Sequence, residues 1–102
     1  MHKNAADGLI RQLEYFRARP TLYIQQVDVT HVEAFLQGVD VALAECGIHL
    51  DHRAVWRSHG IEDSPMTVGH RLQMQGVAPE RIIVTRIDLM DDAHSRLPDD
   101  AA

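Results

Sequence analysis

A chain of 102 residues with 45% apolar content matches the common size of one domain and can enclose one continuous core, but it is too short for two. Its charged fraction of 25%, with apolar residues spread throughout, excludes disorder and low complexity for the body of the chain. The net charge of −5, with acids gathered at Asp91, Asp92, Asp99 and Asp100 and cations scattered, argues against direct nucleic-acid binding and suits contact with a basic protein, the plainer reading being that it keeps a small protein in solution.

In chain order, Ala6, Leu9, Ile10, Leu13 and Phe16 follow the i, i+3, i+4, i+7 spacing of a helical face and predict a helix over residues 5–18. Asp7 precedes Arg11 by one turn, an order that supports the same helix. Pro20 disfavours helical geometry at Arg19, so the chain should leave the helix there. Residues 21–24 (Thr-Leu-Tyr-Ile) are branched and aromatic and are expected to be extended. The next segment carries the clearest local signal. Thr30-His31-Val32-Glu33 has the form of a capping box, in which Thr30 and Glu33 exchange hydrogen bonds with each other's amides. Val32, Phe35, Leu36, Val39, Leu43 and Cys46 then keep one apolar stripe, and Gly47 supplies the left-handed stop.

Asp51 can cap a short helix through Trp56 to His59 closed by Gly60, with a strand as the alternative. Ser64-Pro65 resembles an N-cap followed by proline at the first helical position, with Val68, Leu72 and Gln75 at helical spacing and Gly76 as stop. Gly69 within that stretch weakens it by about 1 kcal/mol relative to Ala. Pro79-Glu80 opens a last element in which Ile83, Ile87, Met90 and Leu97 share a helical face. The β-branched run from Ile82 to Thr85 would instead alternate as a strand over 82–89, but length and the proline start favour helix. Residues 1–97 thus read as one all-α or α-dominated domain, with an antiparallel pair of leading helices closed by the C-terminal ones. Residues 98–102 read as a frayed acidic tail.

The longest apolar runs, Val41 to Ala44 and Ile82 to Val84, fall far short of the roughly 20 residues of a membrane span. The N-terminus has no apolar stretch ahead of a small-residue cleavage site, so the expected compartment is the cytoplasm. Cys46 is the sole cysteine and has no internal disulfide partner.

Seven histidines make an unusual count, and Cys46, His49, His52 and His59 fall within one short window. Thiolate and imidazole suit Zn²⁺, but structural zinc sites pair two close-spaced ligands with a second such pair, which His59 and His70 do not form. A small histidine-rich metal-binding protein is therefore an alternative reading, and histidines titrating at the surface without a cofactor are the expectation. Cys46 lies on the apolar stripe, where a thiol behaves as a small hydrophobe rather than a nucleophile. The glycines are isolated, so no phosphate-cradling loop occurs, and neither Gly-x-Ser-x-Gly nor His-Glu-x-x-His is present. The helical stripes are expected to be spent on a shared interior, with no buried polar constellation left for chemistry.

The segment Arg17-Ala18-Arg19-Pro20-Thr21-Leu22-Tyr23-Ile24 resembles the Arg-x-Arg-Pro-Gly-Met-Tyr-Ile-Gly stretch near the start of the type II topoisomerase ATPase subunit. Thr21, Leu22 and Gln25 depart from that pattern. The ATP-binding Asn and Gly-rich motifs are missing, so the resemblance implies no ATPase and at most an accessory subunit of a nucleic-acid-handling complex. A longer resemblance joins Leu13 to Arg17, Arg19 to Ile24, Val32 to Gly38 and Ala42 to Glu45 to short bacterial proteins carrying an Arg-Pro-x-Met-Tyr-Ile/Leu segment, some of them similar to immunity proteins encoded beside toxins. It implies a non-enzymatic protein-binding module, immunity-like or antitoxin-like, whose partner is another protein. Arg19, Pro20 and Tyr23 carry the motif, and Tyr23 is expected to pack on the second helix with its hydroxyl bonded locally. The oligomeric state stays open, because residual apolar surface, for instance near Trp56, can be buried against a second copy, giving a homodimer.

Overall fold

Six apolar positions of the last segment, Ile82, Ile83, Ile87, Leu89, Met90 and Ala93, lie on more than one face of a helix and are buried, while Val84 is exposed. That segment is consequently the axis of the fold rather than a cover for it. In the computed structural model, which describes residues 3–97, the elements are α1 (Lys3–Ala18), a 3-10 turn (Pro20–Leu22), α2 (Val29–Glu45), α3 (His52–Ser58), α4 (Val68–Met74) and α5 (Pro79–Ser95). No strand occurs among the described residues. The expected acidic tail at 98–102 lies outside them.

Helix α5 packs against α1, α2, α3 and α4. One side of it meets Ile10, Leu13 and Phe16 of α1 and Val32 and Leu36 of α2 in the principal core, which Ile24 closes. Its other side, through Leu89 and Ala93, meets Val55 of α3 and Val68 of α4. Leu13, Phe16, Val32, Ile82, Ile87 and Met90 are wholly buried, and each such side chain stabilises the fold by roughly 1.5–3 kcal/mol through surface removed from water. No helix among the described residues is long and apolar enough to cross a membrane.

Several helix boundaries follow the sequence signals closely. Helix α2 ends on Gly47 at φ 79°, with Ile48 N donating to Leu43 O and Gly47 N to Ala44 O, and with Ile48 and Leu43 in apolar contact. This is a complete Schellman motif, and the positive φ is one that side chains with a Cβ rarely adopt. Helices α3 and α4 end in the same way, and Asp51 caps α3 by accepting from Ala54 N at 3.1 Å. The last element is a helix, not a strand over 82–89. Pro79 presets its first turn, and isolated strand pairing would leave backbone groups of a buried segment without partners.

Three local expectations are corrected. Residues 21–24 are not extended: Pro20 starts a 3-10 turn, with Tyr23 N and Ile24 N both donating to Pro20 O. The proline's fixed φ suits that turn, and no neighbouring strand exists to pair an extended segment. The capping box of Thr30 and Glu33 does not form either. Asp28 caps α2 by accepting from His31 N at 2.8 Å, which places Thr30 inside the helix, and Glu33 is drawn into the interior. Finally, Ser64 does not cap α4. Its hydroxyl accepts from Met66 N, and Thr67 takes the cap by accepting from His70 N at 3.1 Å.

Candidate functional site

The residues proposed as metal ligands are spread over the structure. Cys46 caps the end of α2, half-buried against Leu43 and Ile48. His52 Nε2 lies 2.9 Å from both carboxylate oxygens of Asp40, and His59 Nε2 lies 3.1 Å from Asp92 Oδ2. Asp92 is held below the usual carboxylate range by its hydrogen bonds to Arg96 and then to His59. His49 is exposed and borders a surface depression with His52 and Asp40. Among the described residues, no three His, Cys, Asp or Glu groups approach closely enough to hold a metal ion.

The Arg-Pro motif builds a corner of the molecule. Helix α1 ends as Arg19 N donates to Tyr15 O, and the Pro20 turn then brings Tyr23 back beside the helix. The Tyr23 ring packs edge-on to Phe16 at 5.9 Å and against Phe35 of α2 at 5.5 Å, and its hydroxyl donates to Gln12 Oε1 at 3.1 Å. The burial and local hydroxyl bond expected of Tyr23 are thus partly met, because one edge of the ring stays in solvent. Around it, Leu22 is 72% exposed and Tyr15 55% exposed. With Ala18 and Arg19 these residues line a shallow cavity of about 440 Å³. Between α1 and α5, Arg17 bridges Glu14 to Asp88, ion-pairing with Asp88 at 3.0 Å. Burial, and then the neighbouring Glu14 carboxylate, push Asp91 up to about 6.

The second region went unrecognised in the sequence. Glu33 of α2 and Arg86 of α5 form a buried ion pair: Arg86 Nε donates to Glu33 Oε2 at 2.7 Å and Nη2 to Oε1 at 3.2 Å. Gly69 N of α4 donates to the same Oε2 at 2.8 Å. This requirement explains the helix-weakening glycine. A Cβ on Gly69 would overlap Glu33 Oε2 and stand 2.9 Å from Val29 Cγ2. The expectation that no buried polar constellation exists is therefore corrected. The pattern Thr30 to Glu33 disguised Glu33 as a capping residue, and its cation lies 53 positions away, beyond the reach of any local motif.

The pair forms the floor of a recess of about 440 Å³ between α2, α3, α4 and α5, with Asp40, His52, Trp56 and His70 on its walls. Arg86 is 6% exposed, and its Nη1 has no hydrogen-bond partner among the described residues; neither do Trp56 Nε1 and His52 Nδ1. A buried donor left in that state costs about 1–3 kcal/mol, and more when charged. The His52 and Trp56 rings lie nearly parallel, 5.9 Å apart. Comparison with protein-family models, with characterised proteins and with solved structures finds no match to this chain.

Proposed function

We propose that the chain is a non-enzymatic protein-binding module, immunity-like or antitoxin-like in kind, and that the corner formed by Tyr15, Arg19, Leu22 and Tyr23 meets its partner. The supporting observation is the exposure of Leu22 on the Pro20 turn and of Tyr15 on the adjoining last turn of α1. Large apolar side chains left in water carry a free-energy cost that contact with another surface removes. Tyr and Arg are also the residue types that dominate interface energetics, because they combine large contact area with directed hydrogen bonds. The backbone bonds at Pro20 hold the corner in place before binding, which lowers the ordering cost of association. A net charge of −5 steers a basic partner towards the molecule, an effect that weakens with salt.

The test is co-purification of the tagged chain from cells that normally express it, beside a Leu22→Asp variant. Leu22 touches little of the core, so the variant folds as the parent does. A stoichiometric protein is expected with the parent, and its loss with the variant. An unaccompanied parent chain, or an equal yield of the partner from both, contradicts it.

A further inference from the structure

The recess between α2, α3, α4 and α5 is chemically unlike the corner and independent of it. Two donors set its character, beside His52 Nδ1, which is likewise buried without a partner among the described residues and accepts when Nε2 donates to Asp40. Arg86 spends Nε and Nη2 on Glu33, which leaves Nη1 with hydrogens to give and no protein acceptor among the described residues. Trp56 Nε1, buried in the wall of the same recess, is in the same condition. An indole N–H and a guanidinium N–H donate only, so whatever satisfies them must be an acceptor.

Charge narrows the class. Glu33 offsets Arg86 in a bidentate pair, and Asp40 stands 2.9 Å from His52. The walls therefore present donors without a net positive field. A phosphate or another multiply charged anion would give up its hydration against two carboxylates, whereas a neutral carbonyl accepts the same hydrogen bonds without that repulsion. The volume of about 440 Å³ lies within the range of small-molecule pockets. Ala34, exposed at the rim, is small enough to leave the mouth open.

From this geometry we infer that the recess binds a small neutral amide-type molecule, an amide, lactam or cyclic imide, whose carbonyl oxygen accepts from Arg86 Nη1 and Trp56 Nε1. Trp56 is the sole tryptophan, so its indole N–H resonance reports on the recess alone. The experiment titrates uracil and N-methylacetamide, with acetate and inorganic phosphate beside them, into the full chain and into an Ala34→Phe variant that closes the mouth. Circular dichroism confirms that the variant is folded.

The expected result is a saturable shift of the indole resonance with a neutral probe, weakened at least about tenfold in Ala34→Phe, and a weaker response to acetate and phosphate. No saturable shift with either neutral probe, a shift that survives Ala34→Phe, or tighter binding of phosphate overturns the inference.

Discussion

The motif corner and the interhelical recess differ in how they are made. The corner is built from residues within a short stretch, Tyr15 to Tyr23, and it displays apolar surface on a backbone tied by its own hydrogen bonds. The recess draws Glu33, Asp40, Trp56, His70 and Arg86 from four helices and holds buried polar groups. A surface device can be written locally, because solvent asks nothing of its neighbours. A buried charge needs every partner in place, because an unpaired one in the interior is costly.

The sharpest way to break that contrast is Glu33→Ala. It leaves the Arg86 guanidinium buried without its counter-charge, and a loss of about 3–5 kcal/mol is expected in urea unfolding, a large share of the stability of a small domain. A loss below about 1 kcal/mol would show that Arg86 escapes to solvent. Gly69→Ala probes the same centre from α4. Its new methyl displaces the Glu33 carboxylate, and a destabilisation of about 1–3 kcal/mol is expected from overpacking, where a helix interior would ordinarily gain from the exchange.

Much of the fold was legible for the same reason the corner was. The stripe of α1, the stops at Gly47, Gly60 and Gly76 and the proline start of α5 all act within a turn or two of themselves. What misled was also local. Thr30 and Glu33 satisfy the capping pattern, but Asp28 offers a carboxylate to the same first turn, and Arg86 competes for Glu33 from far along the chain. Spacing of Cys46, His49, His52 and His59 likewise carried no information about Asp40 and Asp92, the groups that His52 and His59 actually face. Long-range partners decide where a polar side chain points, and a single sequence does not display them.

Where α1 meets α5, the effect of pH is local to Asp91. Asp91 is held at about 6 in the folded chain by burial and then by Glu14, above its ordinary 3.8. As pH rises between those values, the unfolded chain releases the proton first, so folding stability falls, and the fall is complete above about 6. Asp91→Asn should flatten that decline in unfolding midpoints measured from pH 4 to pH 7 and be the more stable form at neutrality. An unchanged slope would place the titration elsewhere.

The smallest expected effects separate the two caps. Asp28→Ala removes the acceptor for His31 N and should lower the melting temperature by a few degrees. Thr30→Ala, at an exposed position inside α2, should leave it nearly unchanged. The reverse order would restore the capping box.

The functional claim rests on the corner, and site-specific photocrosslinking in the native cell tests it most directly. A photoreactive residue at position 22 is compared with one at Met74, which is apolar and 75% exposed on α4, a helix that among the described residues does not pack on α1 or the Pro20 turn. A discrete adduct with one protein from position 22 and none from position 74 is the predicted result. Adducts alike from both positions, or from neither, would contradict the assignment of the corner as the binding surface.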